Sequence, residues 1–102
     1  MDSWKTLEKL AAAALGGQRH IRWDRGESAP DVDLPPSSPF TVECKYRKRL
    51  PALLLTGLLQ AARYGPGRVP LLVVKERGQT GALAVLRLED LARLLKEARD
   101  GR

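Results

Sequence analysis

The stretch PALLLTGLLQAARYGPG, from Pro51 to Gly67, restricts the fold more than any other part of the chain. Pro51 suits the first turn of a helix and Gly65-Pro66-Gly67 ends one, which predicts a helix over Ala52–Tyr64. Thr56, Gln60 and Arg63 recur at i, i+4 and i+7 and form one narrow polar stripe on an otherwise apolar surface. Such a helix has to be covered on more than one side, by its own sheet and by a further surface such as a second subunit. The apolar run is too short to span a bilayer. No membrane partner is expected.

The flanking sequence supplies the sheet. Asp2 and Ser3 can cap a helix over residues 4–15, which Gly16-Gly17 ends, with Leu7, Leu10, Ala11 and Ala14 as its buried face and Glu8 at the edge. RHIRW (19–23) alternates as a strand, with Ile21 and Trp23 on one side and His20 and Arg22 on the other. Residues 31–34 make a second strand with Val32 and Leu34 inward, and PPSSP is a turn. FTVECKYR (40–47) alternates as a third strand, with Phe40, Val42, Cys44 and Tyr46 on one face and Thr41, Glu43, Lys45 and Arg47 on the other. RVPLLVVKE is continuously apolar, as in a strand buried on both faces. GALAVLRL is a further strand, and EDLARLLKEAR is an amphipathic helix with Leu91, Leu94 and Leu95 inward. The expected order is αβββαββα, in one domain covering 1–102.

Charge narrows the partners. Lys and Arg number 18 against 12 Asp and Glu, a net charge of +6, which suits a polyanion through counterion release. One cysteine excludes an internal disulfide and a cysteine-based zinc site, and one histidine argues against a His-rich site or a serine triad. No secretory signal is read at the start, so a cytoplasmic setting is expected, in a prokaryotic or phage-infected cell.

Against this basic background the acids stand out. Glu43 and Lys45 are two residues apart on one strand face, roughly 7 Å along the chain. If the second and third strands pair, Asp31 or Asp33 approaches the same spot. Carboxylates brought that close require a cation, and hard divalent ions accept one or two carboxylates while keeping several waters. Such an ion acidifies a bound water and neutralises charge on a phosphate. Lys45 could orient the water or steady the phosphate. Asp31 is preferred to Asp33 because the Pro-Asp junction puts it at the strand's entry.

With Glu8 on the first helix, RGES before APDVD, VECKYRK, Gln60 on the next helix and the strand PLLVVKERG, the chain resembles the PD-(D/E)xK nuclease superfamily. Within it, the chain resembles the archaeal-type Holliday junction resolvases and their small phage relatives. The resemblance runs from Leu7 to about Leu95. It implies an α/β restriction-endonuclease-like three-layer fold, with a mixed central sheet flanked by helices. It also implies a Mg²⁺ site, open to Mn²⁺, made by Glu8, Asp31, Glu43 and the main-chain carbonyl of Cys44, with Lys45 assisting catalysis. Ser28 would match a serine that touches the scissile phosphate, and Gln60 a glutamine facing the site. The implied activity is paired, symmetric cutting of four-way DNA junctions by a homodimer. Arg22, Arg25, Arg47, Lys48, Arg49 and Lys5 are the expected contacts to branched double-stranded DNA.

Three other readings fit the same residues: a nicking, repair or restriction-type nuclease, a non-catalytic DNA-binding module of the same fold, and a basic domain of a ribonucleoprotein. Trp23 and Tyr46 read as core, Trp4 as a stacking or helix-stapling residue, and Cys44 as a small core residue with no histidine to activate it.

Overall fold

The computed structural model describes residues 3–21 and 29–101, which group into two compact units, Met1–Arg47 and Lys48–Arg102. Arg22, Trp23, Arg25 and Ser28, with the RGES loop, lie outside the described residues.

The first unit opens with α1, Trp4–Leu15. Ser3 caps it, its hydroxyl accepting the Thr6 amide at 3.2 Å. Gly16 ends it in the left-handed region at φ +76°, and the Gly17 amide reaches back to the Ala12 carbonyl at 2.8 Å. That six-to-one bond closes a Schellman motif. The helix buries Glu8, Ala11 and Ala12, while Leu10 is 57% exposed. The buried face is thus turned from the expected Leu7-Leu10 side toward Glu8 and Ala12. Two alanines let the neighbouring strands come close to the helix, which two leucines would hold off.

Those strands are β1, Gln18–Arg19, and β2, Val32–Asp33, paired antiparallel with Gln18 opposite Asp33 and Arg19 opposite Val32. Val32 is the most deeply buried side chain of the unit, at 1% exposure. After β2, the Ser38 amide donates to the Pro35 carbonyl at 2.9 Å and closes the expected turn. Residues 40–47 run alongside without forming the third regular strand. The Asp31 amide donates to the Val42 carbonyl at 2.9 Å, but the next donor on that edge, the Cys44 amide, bonds to the Asp31 carboxylate at 2.6 Å. A side-chain oxygen takes the place of a ladder carbonyl, and the ladder stops there.

In the second unit α2 spans Ala52–Tyr64, as its sequence predicts. The Thr56 hydroxyl donates to the Ala52 carbonyl at 3.0 Å, folding one member of the polar stripe back on the helix. α2 packs on β3, Leu72–Val74, through Gly57, where an added Cβ would lie 2.8 Å from a Leu72 methyl. β3 pairs antiparallel with β4, Leu83–Val85, with Val73 opposite Ala84. The connecting turn uses Gly78 and Gly81 at positive φ. α3, Leu88–Asp100, begins with Glu89 and Asp90 and ends with Arg99, complementing its dipole.

The architecture is therefore α/β, with three helices and two small antiparallel sheets among the described residues. The apolar strand expected to be covered on both faces belongs to a two-stranded hairpin instead, and Val73 is 64% exposed. An apolar run cannot by itself distinguish a central strand from a hairpin strand that awaits cover. Among the described residues no helix is long and apolar enough to cross a membrane.

Candidate functional site

Asp31 is the pivot of the first unit. At the entry to β2 its amide donates to Val42, its carbonyl accepts the His20 amide at 3.1 Å, and its carboxylate accepts the Cys44 amide. Backbone and side chain are thus tied to both neighbouring segments, and the residue is buried. An ionised carboxylate withdrawn from water needs such partners to remain charged.

Glu8 is the other buried charged side chain among the described residues. It projects from the packed face of α1 and accepts the Arg19 Nε–H at 2.7 Å. Arg19, in turn, lies with its guanidinium 5.4 Å from the Trp4 ring centre. The acid is held between a helix that buries it and a strand that neutralises it.

The third acid sits on the loose segment. Glu43 and Lys45 are largely exposed, with side chains 66% and 63% accessible, and Lys45 Nζ lies 3.9 Å from Glu43 Oε1. A pair that exposed contributes little to stability. Cys44, between them, is half-buried, and its thiol is pushed up from the ordinary range. Burial is the largest cause, followed by the negative fields of Asp31, Glu8 and Glu43. All three carboxylates named from the sequence push the Cys44 thiol in the same direction, but only Asp31 has a direct contact with that residue, through its amide. A shallow depression of about 360 Å³, lined by Ala29, Pro30, Thr41, Val42 and Glu43, opens beside the last of these acids.

These acids do not form a closed ligand shell. Among the described residues no group of three or more His, Cys, Asp or Glu side chains lies close enough to hold a metal ion. Asp33, the alternative aspartate, is exposed and lies 2.8 Å from His20 Nδ1. Gln60 belongs to the second unit, where its amide donates to the Tyr64 hydroxyl at 2.9 Å. Arg47, Lys48 and Arg49 are exposed, and Arg47 Nη1 donates to the Tyr46 carbonyl at 3.0 Å. Tyr46 is itself exposed, against its expected place in the core.

Two participants were missed from the sequence. Arg19 shares strand parity with Ile21 and Trp23, the side read as inward, and an inward arginine calls for a buried acid. The His20–Asp33 contact had no local signal, because it depends on the register between two strands.

The Cys44 environment has a measurable consequence. The folded thiol keeps its proton at a pH where the unfolded thiol has lost it, so its stabilising contribution is present below the ordinary thiol range of about 8.5 and declines as pH rises above it. Iodoacetamide at pH 8 is expected to label folded Cys44 several-fold more slowly than the urea-unfolded chain. Glu43→Gln should speed the labelling. Equal rates for folded and unfolded protein, followed by mass spectrometry, would contradict the half-buried setting of the thiol.

Comparison of the chain with family models, with curated proteins and with solved structures gave no match.

Proposed function

We propose that this protein is a Mg²⁺-dependent DNA endonuclease of PD-(D/E)xK type that resolves four-way junctions as a homodimer. The observation that carries the reading is the buried Asp31 carboxylate seated on the Cys44 amide, between Glu43 and Lys45 in the chain, with Glu8 the other buried acid of the same unit. The donor set is all oxygen. A Mg²⁺ ion needs only one or two of these carboxylates, since it retains waters, so the residues fit a hard cation without a three-side-chain cluster. Asp31 with Glu43 or Glu8 would hold it. In an extended chain the amide and carbonyl of one residue emerge on the same edge, and the Cys44 amide faces Asp31, which supports the Cys44 carbonyl as a further ligand. When bound, the metal would supply an acidified water and charge neutralisation at a phosphate.

The chain's own groups do the rest. Lys45, exposed next to Glu43, is free of the core and able to reach a phosphate oxygen. Lys5 and Arg47 on the first unit, and Lys48 and Arg49 at the start of the second, supply positive charge that binds the DNA backbone without reading sequence. Exposed Leu53, Leu55 and Leu59 on α2 support the dimer, which would give a small chain a second cutting site.

A non-catalytic DNA-binding module is the second reading. It is favoured by the Arg19–Glu8 ion pair, which neutralises the helix carboxylate without a metal. Incubating a labelled four-way junction with the protein, with and without Mg²⁺, separates the two. Paired, symmetric nicks that require Mg²⁺ or Mn²⁺ and vanish with chelator are expected. Retarded but uncut junction at every metal concentration would leave the binding module. Cutting of linear duplex or flaps in preference to the junction would assign a different nuclease target.

A further inference from the structure

A depression of about 320 Å³ on the first unit, lined by Trp4, Lys5, Glu8, Arg19, His20 and Ile21, is used by the roles above only through Glu8 and Lys5. We propose that it holds one nucleotide of the DNA substrate released from pairing at the branch point, with the base against the Trp4 indole and the phosphate by Lys5. The inference rests on the nuclease reading for its substrate, and it adds a strand-positioning subsite to it.

Four features converge on this ligand. Trp4 is 53% exposed at the very start of α1, an unfavourable place for an indole without a partner. Lys5 Nζ and the Arg19 guanidinium each lie over its ring, 5.4 Å from the centre, so the half-exposed indole sits in a positive setting that suits a phosphate beside it. The first turn of α1 carries no acid, so no side-chain charge there opposes an anion, although Ser3 caps the Thr6 amide. Arg19 also clamps Glu8 at 2.7 Å, which ties the floor of the depression to a carboxylate of the proposed metal site. An aromatic face bordered by positive charge is the chemistry by which proteins take up single-stranded nucleic acid, and it is tolerant of sequence because every base has a π-face.

The test uses full-length protein carrying Trp23→Phe, so that Trp4 is the sole tryptophan, in chelator so that nothing is cut. Adding oligothymidylate is expected to quench the Trp4 fluorescence in step with the anisotropy rise of a labelled strand. Trp4→Phe should retain most of the affinity, whereas Trp4→Leu, which keeps apolar bulk without a π-face, should weaken strand binding roughly tenfold. Circular dichroism melts of both variants check that α1 remains folded. Binding seen by anisotropy with no quenching, or equal affinity for Trp4→Leu, would overturn the subsite and leave the nuclease standing. Failure to bind any DNA, strand or junction, would overturn both.

Discussion

Asp31→Asn is expected to abolish phosphodiester cleavage while leaving junction binding intact. The asparagine carbonyl oxygen can still accept the Cys44 amide, which the Asp31 carboxylate now accepts at 2.6 Å, and the main-chain bonds to Val42 and His20 are untouched. The fold should therefore survive. The charge is what disappears. If that charge holds a divalent ion against a phosphate, its loss removes several kcal/mol of transition-state stabilisation, or roughly a thousandfold in rate. Affinity should change little, since phosphate contacts from Lys and Arg dominate it. Asp33→Asn is the control: that carboxylate is exposed beside His20, and cutting should persist. Single-turnover cleavage with gel-shift titration reads both quantities. Wild-type cutting by Asp31→Asn would end the metal-site reading, and a loss of binding equal to the loss of cutting would show that the acid supports structure alone.

Gly17→Ala should destabilise the first unit by about 3 kcal/mol, the upper end of the usual cost of overpacking. The new Cβ would collide with the Asp33 carbonyl oxygen, lie 2.6 Å from Leu34 Cδ2 and 3.1 Å from Val32 Cγ1. A leucine methyl can swing away; a backbone carbonyl beside the paired strands cannot move without pulling β2 from β1. For a domain of this size the cost corresponds to a fall in Tm of roughly 10–20 °C. Gly16→Ala provides the contrast. Nothing lies within 4 Å of its added Cβ, and the penalty there is only the left-handed backbone at φ +76°, about 1 kcal/mol. Thermal melts in which the two variants lost the same stability would contradict the close approach at Gly17.

The helices were legible because their signals are local. Ser3 before Trp4, Gly16-Gly17 after Leu15, Pro51 and the Gly65-Pro66-Gly67 stop all act within one turn of the ends they define. Strands were less so. Alternation over residues 40–47 is real, but whether that segment becomes a strand depends on what its amides meet, and the Cys44 amide meets a carboxylate. The same limit applies to α1, where heptad-like spacing favoured Leu10 and the packing of the hairpin favoured Glu8 and Ala12.

From the amino acids alone came the three helices, the turns, the positive balance and a short list of acids that belong together chemically. These follow from rotation per residue, capping and charge, and none of them needs a partner segment. Only the tertiary structure decided that Glu8 and Asp31 are buried while Asp33 is not, and that Arg19 closes on Glu8. Which oxygen faces which nitrogen is set by strand register and helix rotation. Those are fixed when distant parts of the chain bury surface against each other, and no window of sequence contains both sides of that contact.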